Sequence, residues 1–266
     1  MSTYLSEVIE KQQGRIEELN TLDKVIQQYI ENNEVKNAEC FNALCRATIV
    51  LVSAHTEGFI EDTIEGIIYD INSKGNFEKA SFEMQYNMCL SLLPEKDIGK
   101  KITEKQLKEL IRVFKENNVK FEKAAFVSST KNPNPSVVDR ICTLVGFNNF
   151  FIILDKSAFI DKVFENSSSQ TQYIFSDLLS EARGNTLDFP YKPTTLLQYN
   201  TFSKTSNGFW KSFLDDLVEK RNRIAHGSDI NNSIGYLELK NIVHKSLIFQ
   251  LCFFLCLSTF IGNLYK

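Results

Sequence analysis

Glu219-Lys220-Arg221-Asn222-Arg223-Ile224-Ala225-His226-Gly227 closes a stretch whose periodicity decides how the chain is read. Just before it, Trp210, Phe213, Leu214, Leu217 and Val218 recur at three- and four-residue spacing, the stripe of a core-facing helix. Extending that stripe by one turn reaches Arg221, then Ile224 and Ala225, so a guanidinium stands where a leucine is expected. Lys220 follows Asp216 by four residues, and Arg223 follows Glu219 by four; both read as solvated ion pairs. Gly227 suits the position just past a helix end, which puts His226 in the last turn.

A core-directed arginine is costly unless something charged or wet meets it. Arg221 and His226 are separated by about 140° around an ideal helix, so the two are not strictly co-facial. Asn222 lies on the side of His226, four residues before it. A long arginine and a frayed last turn would let the three converge on one groove. Arginine to hold a phosphate, histidine to move a proton and an amide to orient them make a phosphodiester-cleaving set that needs no metal.

Arg-Asn-x-x-x-His followed by Gly resembles the R-x4-6-H signature of the HEPN superfamily, helical proteins many of which cleave RNA. The Ile224-Ala225-His226-Gly227 ending is similar to its RiboL-PSP-HEPN branch, and Ala54-His55-Thr56-Glu57-Gly58-Phe59-Ile60 resembles that branch's early helix. The resemblance implies Arg221, Asn222 and His226 as catalytic residues. It also implies a homodimer in which two copies of the motif helix meet, Arg221 of one chain complementing His226 of the other.

Further out, 266 residues with 43% apolar and 24% charged side chains are ordinary for a globular soluble protein. A net charge of −3 argues against a general polyanion binder, so any contact with nucleic acid must come from a local patch. Only 11 glycines and 5 prolines favour long helices over many turns. The six cysteines (Cys40, Cys45, Cys89, Cys142, Cys252 and Cys256) form no C-x-x-C and lack histidines at zinc spacing. They read as reduced thiols of a cytoplasmic protein with no metal site and no cofactor. The N-terminus carries no apolar signal segment.

Helices are expected over 4–31 and 38–71, the second carrying Phe41, Leu44, Cys45, Leu51, Val52, Phe59, Ile60, Ile64, Ile67 and Ile68 in period. Within it Glu57 sits at the edge of the apolar face. As a functional residue it would pair with Arg221 and hold the guanidinium; its plain alternative is an exposed row with Glu61. His55 reads as a core or interface histidine. Thr103 with Gln106 makes a capping box, and Pro135 starts a helix that Gly146 stops. The lysine-rich stretch 96–123, interleaved with glutamates, is either a solvated face or an RNA-guiding patch. Two helices are expected over 157–166 and 171–183. The irregular stretch 184–208 would be a lid or an insertion between core helices; Tyr191, Lys192, Tyr199, Phe202 and Lys204 are either base-stacking residues or the surface aromatics and lysines common in loops. The last helix, 234–264, is apolar nearly all round over 247–261. That run is short for a membrane span, which makes a buried central helix or a dimer seam.

The expected fold is all-α: one HEPN-like bundle over 1–266, its core 1–71 and 209–266, with a helical insertion at 72–208. Three functions fit. The first is a metal-independent endoribonuclease acting as a bacterial toxin or phage-defence effector, restrained by an antitoxin or a partner protein of its defence system. The second is a non-catalytic module that grips RNA, a nucleotide or a protein. The third is a helical scaffold in which Arg221 is a buried ion-pair partner of Glu57.

Overall fold

The computed structural model describes residues 2–31, 38–93, 103–127, 132–165, 168–197, 208–227 and 234–266. Among them the regular structure is helical, with no strand. The helices are α1 (Tyr4–Glu31), α2 (Ala38–Lys74), α3 (Phe82–Ser91), α4 (Glu104–Glu116), α5 (Pro135–Val145), α6 (Phe150–Asp155), α7 (Ile160–Phe164), α8 (Ser168–Asn185), α9 (Phe209–Ala225) and α10 (Tyr236–Tyr265). One short 3-10 turn covers Lys123–Ala125.

α10 is the axis of the bundle. Ile248, Phe249, Leu251, Cys252, Phe253, Phe254, Leu255, Cys256 and Leu257 are fully buried in succession, so protein surrounds the helix on every side. α2 and α8 run along it, α1 lies on α2, and α9 packs across α2. By length and composition alone, α2 and α10 are apolar enough to span a membrane; in the fold, most of that stretch of α10 is covered by protein. Phe59 of α2 meets Phe254 with ring centres 5.9 Å apart. Phe150 of α6 stands edge-on to both Phe249 and Phe253.

One polar residue in this core has its partners arranged in advance. Gln250, in the middle of α10, accepts from Gln12 Nε2 of α1 at 2.6 Å and donates to Thr56 Oγ1 of α2 at 2.8 Å. A buried amide satisfied from two sides fixes the register of three helices, whereas an unpaired one would cost about 1–3 kcal/mol.

The stretch after α8 is anchored to the bundle. Tyr191 is 1% exposed and donates its hydroxyl to Asp70 of α2 at 2.8 Å, while Thr194 N–H donates to Thr259 of α10 at 2.9 Å. Tyr191 therefore has no face on which a base could stack, and that expectation is corrected. Tyr199, Phe202 and Lys204 lie outside the described residues. The close approach here depends on Gly262, where a Cβ would collide with the Tyr191 carbonyl oxygen. Gly262→Ala is expected to destabilise the chain by about 1–3 kcal/mol, as overpacking against immovable backbone does. Urea unfolding with an unchanged m-value would report it; an unchanged midpoint would show that this segment does not belong to the cooperative core.

Sequence signals at the helix ends are reproduced. Thr103 and Gln106 form the reciprocal capping box, Asn134 caps α5 with Pro135 in its first turn, and Gly146 ends that helix at φ 87°. The lysine-rich stretch is neutralised in part: Lys108 pairs with Glu104 and Arg112 with Glu109 and Glu116 along α4, while Lys123 pairs with Glu65 of α2. That is the solvated reading of the stretch; Lys96, Lys100 and Lys101 lie outside the described residues.

Candidate functional site

α9 is held at its start by a carboxylate from elsewhere in the chain. Asp155, the last residue of α6 and only 2% exposed, accepts from Gly208 N–H at 2.8 Å and from Trp210 N–H at 3.5 Å. A negative charge at a helix N-terminus is favourable, and here it also fixes where the helix begins. Trp210, Phe213, Leu214 and Leu217 are buried, with Trp210 edge-on to Phe164 of α7. The expected stripe is buried from Trp210 to Leu217; beyond it Val218, Arg221 and Ile224 are half-buried and Ala225 is exposed. Both solvated pairs form, Lys220 with Asp216 at 2.5 Å and Arg223 with Glu219 at 3.8 Å; Lys220 also reaches Glu238 of α10 at 3.5 Å.

At the C-terminal end the helix closes as its sequence requires. His226 caps it, its N–H donating to the Asn222 carbonyl at 2.9 Å, and Gly227 takes the left-handed conformation at φ 70°. Arg221 and Asn222 are half-buried, while His226 is exposed. Arg221 Nη1 donates to Asn222 Oδ1 at 3.0 Å. The same oxygen accepts from Asn132 Nδ2 at 3.1 Å, just before α5. Two donors on one oxygen fix which way the Asn222 amide points, and its Nδ2 has no hydrogen-bond partner among the described residues.

Glu57 lies on α2 beside a shallow hollow that it shares with Glu61, Val137 and Arg140. Its carboxyl is pushed above the ordinary range by burial first and then by Glu61, with the Arg221 guanidinium pulling the other way. Arg221 is therefore near enough to act on Glu57, yet among the described residues the two form no ion pair within 4 Å; the Arg221 hydrogen bond goes to Asn222. The premise of the ion-paired scaffold is not met in this geometry.

The structure thus joins Arg221 to Asn222, sets Glu57 at electrostatic range, and leaves His226 at the solvent end. Its imidazole makes no side-chain hydrogen bond among the described residues. Asn132 escaped sequence reading. Its only local signal is the Asn-Pro-Asn-Pro turn, and its partner is 90 residues away. His55 is 9% exposed, with Nε2 3.1 Å from Glu18 and a buried Nδ1 that has no hydrogen-bond partner among the described residues.

Raising the Glu57 pKa on folding means its ionisation is paid in stability. The neutral acid suits the fold, and that contribution fades as pH rises through the raised value. Glu57→Gln is accordingly expected to melt slightly higher than wild type at pH 7, the gain vanishing at about pH 4. A variant that melts lower at pH 7 would mean that the attraction to Arg221 outweighs burial.

The fold and this helix end define an all-α bundle carrying an Arg-Asn-x-x-x-His terminus. A family model described as RiboL-PSP-HEPN matches residues 13–259, and the chain belongs to that family. HEPN domains are often ribonucleases, which ties the chain to RNA-related biology. Searches of curated proteins and of solved structures return no significant match.

Proposed function

We propose that the chain is a metal-independent endoribonuclease with Arg221, Asn222 and His226 as its catalytic residues. The observation that supports this most directly is the end of α9: a half-buried guanidinium and amide joined at 3.0 Å, followed by an exposed imidazole with no hydrogen-bond partner among the described residues. Arginine offers a planar set of donors to a phosphate, and an imidazole can take and return a proton near neutral pH.

In the proposed reaction His226 removes the proton of the ribose 2′-hydroxyl. The 2′-oxygen then attacks the adjacent phosphorus, the P–O5′ bond breaks, and a protonated imidazole returns a proton to the leaving 5′-oxygen. Arg221 stabilises the charge gathering on the non-bridging oxygens, and the Asn222 Nδ2 orients the phosphate. The products are a 2′,3′-cyclic phosphate and a 5′-hydroxyl end. Base and acid are most simply two histidines, which fits a homodimer formed across the α9 ends. The role proposed with this activity is that of a toxin or phage-defence effector in the cytoplasm, restrained by an antitoxin or another protein.

The test is incubation of total RNA and tRNA with purified chain in EDTA, with end-group analysis of the fragments. Cyclic-phosphate ends in excess EDTA support the reading. RNA left intact by a folded, dimeric chain favours the second reading, a module that grips phosphate without cutting. The observation behind that second reading is the absence of any hydrogen bond between the His226 imidazole and Arg221 or Asn222 within one chain.

A further inference from the structure

A second hollow, formed by a different set of residues from those around Arg221, opens between α1, α2, α8 and the first half of α10. It encloses about 160 Å³. That is below the ~300–1,000 Å³ of sites that engulf a drug-sized ligand, so it takes one ring system with any charged remainder at the mouth. Leu19, Phe175 and Leu247 supply apolar walls.

The polar groups fall into two sets. Lys240 and His244 lie four residues apart on α10 and therefore on one face. Among the described residues neither has a carboxylate partner. The Lys240 ammonium rests 5.4 Å from the ring centre of Tyr236, and burial together with Lys240 holds the His244 imidazole below its ordinary range, Asp23 opposing. Across from them, on α1, stands Asp23. Its Oδ1 accepts from Tyr236 at 2.9 Å and its Oδ2 from Gln27 at 3.0 Å. Each oxygen keeps further accepting capacity, and the carboxylate is fixed in place.

Apolar walls suit the faces of a planar ring, a fixed carboxylate suits an edge bearing N–H donors, and the Lys240 ammonium beside the N–H of a neutral His244 imidazole suits an anion. A nucleotide carries all three. We propose that this hollow binds a nucleoside monophosphate, its base between the apolar walls with its N–H edge on Asp23, and its phosphate on Lys240 and His244. The site is independent of the ribonuclease reading, which uses other residues.

Calorimetric titration of the full chain tests the assignment, using AMP, GMP, CMP and UMP, the four nucleosides, and inorganic phosphate. At least one monophosphate should bind, with its nucleoside weaker by about tenfold or more, as expected for a lost charge-assisted contact. Lys240→Ala should weaken binding by a similar factor, and Arg221→Ala should leave it unchanged. Where Lys240→Ala lowers the melting temperature, His244→Gln provides the second variant. Three results would overturn the assignment: no monophosphate binds, phosphate alone binds as tightly as any nucleotide, or binding is lost in Arg221→Ala and kept in both α10 variants.

Discussion

His226→Ala abolishes RNA cleavage while leaving the fold intact: this is the expected result with the largest effect on activity. The side chain is exposed and makes no hydrogen bond among the described residues, so its removal should change stability by no more than about 0.5 kcal/mol. A general acid–base residue, by contrast, accounts for about 10²–10⁴-fold in rate. Arg221→Ala should cost about 10²–10³-fold, the usual loss when a donor to a developing oxyanion is removed. Its structural effect should be modest, because Asn222 Oδ1 keeps Asn132 as a donor. Arg221→Lys should restore little, since an ammonium cannot present the planar fork. Asn132→Ala should reduce activity less than any of these, by loosening the Asn222 amide. Initial rates on one tRNA, with melting curves of every variant, decide the matter. Equal cleavage in wild type, His226→Ala and Arg221→Ala would place the activity elsewhere or in a contaminant.

The second large effect concerns stability. Asp70 is completely buried, and its carboxylate serves as a hub. Tyr4 N–H and Leu5 N–H each donate to it at 3.0 Å, capping the start of α1; Tyr191 donates at 2.8 Å, and the Lys74 ammonium stands at 3.6 Å. Asp70→Ala strands all of these groups at once. A buried donor left without a partner costs about 1–3 kcal/mol, and the first turn of α1 would recover part of its loss from water. The sum is about 3 kcal/mol, or roughly 10 °C in Tm for a chain of this size. Guanidinium unfolding of Asp70→Ala beside Tyr191→Phe would measure it. A loss under about 1 kcal/mol for Asp70→Ala would show that the hub contributes little.

Much of this was legible in the residues. The apolar period of α1, α2, α9 and α10 runs long enough to show itself, and the ends of those helices fall within a few residues of expectation because Asn, Gly and Pro mark them. Arg221, Asn222 and His226 could be picked out because one arginine interrupts an apolar stripe. What stayed hidden depends on contacts between distant parts of the chain. α6 is six residues long, too short for a period to declare itself. Tyr191 looked like a loop aromatic because nothing near it in the chain announces Asp70. Glu57 could be read either as a partner of Arg221 or as one of an exposed row with Glu61, and the residues alone did not decide; the Arg221 hydrogen bond goes to the adjacent Asn222, which needs no helix-to-helix reach.

The grip of Asp155 on the start of α9 has a consequence for how the chain can be altered. α9 is pinned near both ends by residues from the middle of the sequence, Asp155 at its first turn and Asn132 at its last. The stretch 72–208 therefore acts as a jig that sets how α9 is rotated about its own axis. A shortened chain that spliced α2 straight onto α9 would keep every residue of the Arg-Asn-x-x-x-His terminus and lose the device that aims it.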